Sequence, residues 1–297
     1  MSRQPIRLAI IEAAAELERA GVPSARVDAE LLAAHVLGVE RTRLGLVPLV
    51  DPSVIEEYRE LVARRVQRIP LQHITGSTAM GNVSLEVGPG VFVPRPETEL
   101  LLAWALAHLE ASGLRAPVVL DLCTGTGALA LAIAHARPDA VVHAVELQPQ
   151  ALAWARRNAD RRRDAGDTPI NLVQGDVTDR ALLTELEGGV DLVVSNPPYI
   201  PEGAVLDPEV ADHDPHTALF GGADGLSVIK PMINNIARWL RIGGAVGIEH
   251  DDTNGDQVAE LFRARRVFDR VVEHPDLAGR PRFVVAHRVA TDVEAAR

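Results

Sequence analysis

The chain of 297 residues has a single cysteine, Cys123. An internal disulfide framework is therefore excluded, and a reducing setting is expected. Long apolar runs are missing too: none approaches the roughly eighteen residues that cross a bilayer. The opening residues, MSRQPIRLAI, lack the basic-then-apolar layout of a secretory signal, because polar residues interrupt it at once. A cytoplasmic protein with no membrane association is expected. An excess of basic charge is the third absence. The net charge of -11 argues against a large nucleic-acid footprint, since binding phosphates calls for a basic face. A local basic groove remains compatible with that total. What is present is ordinary: 47% hydrophobic and 24% charged residues, in a length that suits one large domain and a small one.

The texture changes along the chain. From Pro5 to about Arg68 the sequence reads as successive helices, with Ile6, Ile10, Ala14 and Leu17, then Ala29, Leu32, Ala33 and Val36, at helical spacing. Gly21 and Gly38 stand where helices stop, and Asp51 or Ser53 is placed to cap a third helix. The basic face of that helix, Arg59 to Arg68 (Arg59, Arg64, Arg65 and Arg68), reads either as a solvated surface or as a docking surface for a partner. Val83, Leu85 and Val87 then alternate, Gly88-Pro89-Gly90 turns, and Val91 to Val93 is apolar again, which predicts a β-hairpin. A helix is expected from about Glu97 to Ala111. Short apolar strands follow between helices: Val118–Leu122, Val141–Glu146, Asn171–Gln174, Asp191–Ser195 and Ala245–Glu249. That alternation predicts an α/β fold with a parallel sheet covered on both faces. Arg282–Arg288, with no helix after it, is expected to pair antiparallel at or near an edge. Neither internal repeats nor low-complexity segments occur.

Three strand ends carry polar or glycine features suited to a ligand. Asp121-Leu122-Cys123-Thr124-Gly125-Thr126-Gly127 follows a strand and opens a helix, so glycines allow close backbone approach and the helix start offers free N–H groups. Glu146 ends the next strand, where a carboxylate can accept both hydroxyls of a ribose. That residue alone does not separate a nicotinamide cofactor from S-adenosylmethionine. The loop is not G-x-G-x-x-G, because Ala128-Leu129-Ala130 follows Gly127, so no pyrophosphate needs cradling there. Gly175-Asp176 ends the third strand and places a carboxylate beside an adenine. Together these features resemble the class I S-adenosylmethionine methyltransferases.

Asn196-Pro197-Pro198-Tyr199 ends the fourth strand. Two prolines lock the backbone and remove local N–H competitors. The Asn196 side-chain carbonyl and the Pro197 backbone carbonyl can then accept the two hydrogens of a planar –NH2 group, with the Tyr199 ring packed against it. An amide nitrogen is a poor nucleophile because its lone pair is delocalised. Gripping both hydrogens turns the nitrogen toward an activated methyl, and positioning of that kind contributes up to roughly 7–11 kcal/mol.

At these residues the chain resembles the peptide chain release factor glutamine methyltransferase family, the HemK or PrmC family, across nearly its whole length. Besides Asp121–Gly127 and Asn196–Tyr199, it carries PLQHITG at Pro70–Gly76, VPRPETE at Val93–Glu99, ALFGGADGL at Ala218–Leu226 and DLAGRPR at Asp276–Arg282. The resemblance implies a class I S-adenosylmethionine-dependent methyltransferase with a seven-stranded Rossmann-like sheet. It also implies a small all-helical N-terminal domain joined by a β-hairpin linker. The expected boundaries are 1–76 for helical substrate recognition, 77–95 for the linker, 96–289 for the catalytic domain and 290–297 for a flexible tail. The implied reaction is methylation of the glutamine in a Gly-Gly-Gln tripeptide of class-one release factors, by a monomer with no stable nucleic-acid partner. By the same resemblance Asp121 and Cys123 to Gly127 form the cofactor loop, Glu146 holds the ribose, and Asp176 and Val177 flank adenine. Asn196, Pro197, Pro198 and Tyr199 receive the glutamine, and Asn196 also contacts the cofactor.

Two departures stand out: Cys123 replaces a commoner glycine, and Glu146 a commoner aspartate. An altered fit without loss of activity is expected, with Cys123 packing and not reacting. Asp121 either contacts the methionine amino group or braces the loop, and Glu97 and Glu99 are first-turn helix acids or pocket residues. Glu249 is a further candidate. His73 and His250 lack partners at metal-ligand spacing, so no metal is expected. One rival reading is an adenine-N6 methyltransferase acting on DNA or RNA, since the same motif suits the exocyclic amine of a flipped base. A second is a non-catalytic cofactor-binding module that uses its helical domain for protein contact.

Overall fold

Helical spacing in the first seventy residues becomes helical packing in a computed structural model, which describes residues 3–291. The chain divides into two compact units, residues 1–77 with 206–213, and residues 78–205 with 214–297. In the first, α1 (Ile6–Arg19), α2 (Ala25–Leu37), α3 (Pro52–Val66) and the short α4 (Leu71–Thr75) enclose a core that includes Ile10, Leu17, Leu32, Tyr58 and Val62. Gly38 stops α2 at φ +62, a left-handed backbone that glycine adopts without a Cβ clash. Asp51 precedes α3 but makes no side-chain cap. It pairs with Arg3 instead, and Pro52 at the first turn needs no N–H partner there.

The arginine face of α3 is only partly solvated. Arg65 is 3% exposed and donates to Asp28 at 2.7 Å, to the Ile69 carbonyl at 3.1 Å and to Glu209 at 2.8 Å. Arg68 donates to Glu209 at 2.9 Å and to the Gly21 carbonyl at 3.0 Å. Two of the four arginines are therefore internal struts. The periodicity missed this because Glu209 arrives from 141 residues further along the chain.

The second unit begins with a hairpin, β1 (Ser77–Met80) and β2 (Val83–Glu86), turning at Gly81 with φ +55. The expected hairpin lay one step later. Gly88-Pro89-Gly90 does turn, but Val91 to Val93 is no strand, because prolines at 89, 94 and 96 supply no ladder N–H. Val87, Val91 and Val93 instead bury against Ala151 and Trp154.

After α5 (Thr98–Ser112) the alternation runs β3 (Val118–Leu122), α6 (Ala128–Ala136), β4 (Val141–Glu146), α7 (Pro149–Asp164), β5 (Asn171–Gln174) and β6 (Val190–Ser195). The short α8 (Pro208–His213), which belongs to the first unit, and α9 (His216–Leu219) come next. The chain then forms α10 (Ile229–Trp239), β7 (Leu240–Glu249), α11 (Gly255–Arg263), β8 (Phe268–Pro275) and β9 (Pro281–Arg288). Among the described residues seven strands form one sheet in the order β5-β4-β3-β6-β7-β9-β8. The strands from β5 to β7 are parallel, and β9 runs antiparallel to both β7 and β8. Thus β9 pairs as expected, one place in from the edge.

The edge strand β8 escaped the sequence reading. Its polar residues, its register shifts and the positive φ of Arg270 erase the alternation that marks a strand. One face of the sheet packs on α5 and α6 through Leu101, Leu109, Leu129 and Ile133. The other packs on α10 and α11 through Ile233, Ile236, Trp239 and Phe262. Burying both faces explains why β3 and β6 read as nearly continuous apolar runs. Of the expected tail, residues 292–297 lie outside the described residues.

Candidate active site

Parallel neighbours end on the same side, so β5, β4, β3 and β6 bring Asp176, Glu146, the Asp121–Gly127 loop and Asn196 to one row of strand tips. That edge is where open α/β sheets take ligands. Asp121 is 1% exposed, and its Oδ2 accepts from Thr124 Oγ1 at 2.6 Å and from the Ala130 N–H at 3.1 Å. Its Oδ1, buried, accepts no hydrogen bond among the described residues. Burial pushes the carboxyl up to about 7, against the Thr124 and Ala130 hydrogen bonds. A buried carboxylate oxygen without a donor fits a cationic amino group. It leaves room for both sequence readings of Asp121, brace through Oδ2 and contact through Oδ1.

Glu146 accepts the Gly125 N–H at 2.9 Å on Oε2 and the Gln148 N–H at 2.8 Å on Oε1. Burial raises its pKa, and those backbone donors oppose the rise. Two ionised oxygens offer about four acceptor positions, so lone pairs remain for a pair of ribose hydroxyls. Asp176 is exposed and binds the Thr178 N–H and hydroxyl at 2.8 and 2.7 Å. Val177 is buried, its carbonyl held by Asn235 Nδ2 at 3.0 Å.

At the β6 tip the hydrogen bonds run the other way. Ser195 ties the tip to β3 by donating to the Leu122 carbonyl at 2.8 Å. Asn196 Nδ2 donates to Thr98 Oγ1 at 3.1 Å, and Asn196 Oδ1 makes no hydrogen bond among the described residues. Tyr199 donates its hydroxyl to Glu249 Oε1 at 3.1 Å. Pro197 and Pro198 add no donor. The tip is left rich in acceptors.

The backbone behind this tip is pressed against the glycines of ALFGGADGL. A Cβ on Gly221 would stand 2.7 Å from the Pro198 carbonyl oxygen, and one on Gly225 would stand 2.2 Å from that of Tyr199. Ile200 bridges Phe220 in parallel, donating to the Leu219 carbonyl at 2.8 Å and accepting from the Gly221 N–H at 3.0 Å.

Comparison with known proteins gives the same arrangement a family. A profile of the PrmC N-terminal domain matches residues 9–76, and one of the methyltransferase small domain matches residues 89–213. A release factor glutamine methyltransferase of Mycolicibacterium smegmatis is 56% identical over 285 residues, covering 96% of this chain and 98% of that protein. One of Mycobacterium tuberculosis is 51% identical over 287 residues, covering 95% of this chain and 91% of that protein. This chain belongs to the release factor glutamine methyltransferase family. Among solved structures, a 16S rRNA N2 methyltransferase of T. thermophilus in complex with AdoMet and guanosine matches at a TM-score of 0.50 and 22% identity. The match covers 71% of this chain and 49% of that one. The fold is that of the class I S-adenosylmethionine-dependent methyltransferases.

Within that family the two departures acquire structural meaning. Cys123 sits at φ +60, the left-handed region that explains a commoner glycine there. Its thiol is half-buried, and burial together with the Glu146 and Asp121 charges pushes its pKa upward, so it stays protonated and unreactive. Glu146 keeps the carboxylate and reaches the loop backbone.

Some supporting residues escaped the sequence reading, and others in VPRPETE acquire partners that it did not name. Asn158, 1% exposed, donates to the carbonyls of Thr126 and Glu86, both at 3.0 Å, and accepts the Glu86 N–H at 2.7 Å. Its signal was a polar residue in the apolar stripe of α7 that runs Ala151, Leu152, Ala155. Glu99 accepts the Gly81 N–H at 2.8 Å and so serves the hairpin. Arg95 pairs with Asp214 and lies over the Phe92 ring at 4.9 Å. Thr98, from the same VPRPETE segment, had no signal beyond the segment itself.

Proposed function

We propose that the protein methylates the side-chain amide nitrogen of the glutamine in the Gly-Gly-Gln motif of class-one translation release factors, using S-adenosylmethionine. Family membership supports the reaction and the protein substrate. The observation that carries the geometry is a strand tip where Asn196 commits its Nδ2 to Thr98, its Oδ1 has no partner among the described residues and two prolines supply no N–H, beside a carboxylate-lined glycine loop.

In this reading Asp121, Cys123, Thr124, Gly125, Thr126, Gly127, Glu146, Asp176 and Val177 hold the cofactor, which supplies a sulfonium-bound electrophilic methyl. Asn196 Oδ1 and the Pro197 carbonyl accept the two amide hydrogens and turn the nitrogen face toward the loop. Tyr199, its hydroxyl anchored on Glu249, gives the planar group a surface to lie on. No general base is required, because the alkylated amide sheds its proton to the surroundings. Residues 1–76 recognise the release factor and 96–289 carry the chemistry. The enzyme acts as a monomer in the cytoplasm, where termination occurs, with no stable nucleic-acid partner. The net charge of -11 supports the last point, and no helix among the described residues is long and apolar enough to cross a membrane.

The test offers the protein labelled S-adenosylmethionine, a release factor and a duplex oligonucleotide, and locates the label by mass spectrometry. Label is expected on the Gly-Gly-Gln glutamine; label on adenine would replace this reading with the nucleic-acid rival. Asn196→Ala is expected to bind cofactor normally and to lose about 100- to 1,000-fold in kcat, the range for losing one preorganised polar contact to the reacting group.

A further inference from the structure

An asparagine can accept a hydrogen bond from substrate only if its amide is held one way round. Turned over, Asn196 would offer N–H groups to the glutamine N–H groups it must bind, and the grip would become a repulsion. Hydrogen counting at Thr98 decides the orientation. The Thr98 hydroxyl has a single hydrogen and two lone pairs. It lies 2.8 Å from Glu249 Oε2 and 3.1 Å from Asn196 Nδ2, with Thr98 3% and Glu249 1% exposed. An ionised Glu249 has nothing to donate, so Thr98 must give its hydrogen to the carboxylate. The lone pairs that remain can only accept, and Asn196 must present its Nδ2 to them. The other Glu249 oxygen takes the Tyr199 hydroxyl at 3.1 Å, so one carboxylate holds both ends of Asn196–Tyr199.

We propose that Thr98 and Glu249 are positioning residues for methyl transfer: the Glu249 carboxylate, acting through Thr98, locks the Asn196 amide with Oδ1 toward the substrate. The inference rests on the amide-gripping reading above. It adds two residues that act through Asn196 and Tyr199.

The lock has a pH dependence. A protonated Glu249 can donate to Thr98, which frees the Thr98 hydrogen for Asn196 and lets the amide turn over. Burial pushes Glu249 up to about 7, with Glu97 at the start of α5 adding to the rise. The hydrogen bonds of Thr98 and Tyr199 and the charge of Arg282 from β9 oppose it. Arg282 is itself paired with Asp276 at 3.3 Å. The neighbouring His250 is held toward its neutral form by burial. The ionised, locking form exists above the folded-state pKa and is lost below it. Release-factor methylation should therefore fall on the acid side of about pH 7.

The experiment compares full-length wild type, Thr98→Val, Thr98→Ser, Glu249→Gln and Asn196→Ala. It measures kcat and KM for a release factor, cofactor Kd, and the pH profile. Thr98→Val is expected to lower kcat about 10- to 100-fold with cofactor affinity kept, the scale of a small misplacement of a reacting group. Thr98→Ser should restore most of it. With cofactor saturating, so that titration of Asp121 in the cofactor loop does not enter through binding, the acid limb of kcat should disappear in Glu249→Gln, which cannot change charge. This holds as the deciding readout if Thr98→Val does not fold. If Asn196→Ala is inactive while Thr98→Val keeps its kcat, or Glu249→Gln keeps the acid limb, the lock is wrong and the amide-gripping reading survives. An active Asn196→Ala would remove both.

Discussion

The tips of β4 and β6 stand in the same row of a parallel sheet, one strand apart, and are finished in opposite ways. At β4 a carboxylate gathers backbone N–H groups, from Gly125 and Gln148, so the tip is made of donors drawn to an acid. At β6 donors are stripped away by two prolines, and the remaining side-chain amide is committed to a buried threonine. The first tip holds the neighbouring loop after β3, whose Gly125 and Gly127 stand at positive φ, and that loop gains its shape from hydrogen bonds. The second gains its shape from close backbone packing against Gly221 and Gly225. A cofactor with many polar atoms can be held by a loop that adjusts. An amide nitrogen that must be aimed calls for a tip that cannot.

The sharpest way to break this contrast is Gly225→Ala. Glycine here has φ +73, and a methyl would meet the Tyr199 carbonyl at 2.2 Å and Asn254 Nδ2 at 2.7 Å. Backbone strain and overpacking together are expected to cost on the order of 3 kcal/mol of stability. Any folded protein should lose transfer while keeping cofactor binding, read by thermal denaturation and by calorimetry. Wild-type stability and turnover in this variant would show that rigidity behind β6 is dispensable.

Next in size is Glu146→Ala, which tests the other tip. Hydrogen bonds to a charged group contribute about 1.5–3 kcal/mol each. Losing the carboxylate should therefore weaken cofactor affinity about 10- to 100-fold, with KM for the release factor little changed. Calorimetry checks the first and steady-state kinetics the second. Unchanged cofactor affinity would remove Glu146 from the site and leave the two tips less different than they look.

The contrast also explains what the sequence could reveal. The strands β3, β4 and β5 were legible to the residue, because short apolar stretches bounded by glycine, proline or acids mark them locally. The tips Asp121–Gly127 and Asn196–Tyr199 were legible for the same reason: each lies within a few residues of its strand. The supports were not. Thr98 lies 151 residues from Glu249 and 98 from Asn196, and Glu209 lies 144 from Arg65. Such pairs leave no local periodicity. The hairpin was displaced because Gly88-Pro89-Gly90 is a stronger turn signal than Gly81-Asn82, although the prolines around Val91 deny that segment a ladder.

The smallest predicted effect bears on how adaptable the cofactor tip is. Cys123 holds φ +60 with a side chain, which costs an L-residue roughly 1–2 kcal/mol relative to a relaxed backbone. Cys123→Gly removes that strain. It also loosens the unfolded chain, which opposes the gain by roughly 0.5–1 kcal/mol. The balance is a stabilisation of at most about 1.5 kcal/mol, or an upward shift in Tm of no more than about 6 °C for a unit of this size. Cys123→Ala keeps the positive φ and loses the thiol packing, so its Tm should fall below that of the glycine variant. If Cys123→Gly were instead the less stable of the two, backbone strain at the β3 tip would be negligible. The cysteine would then be held by its contacts with the sheet core, and the cofactor tip would share the packed rigidity assigned above to β6 alone.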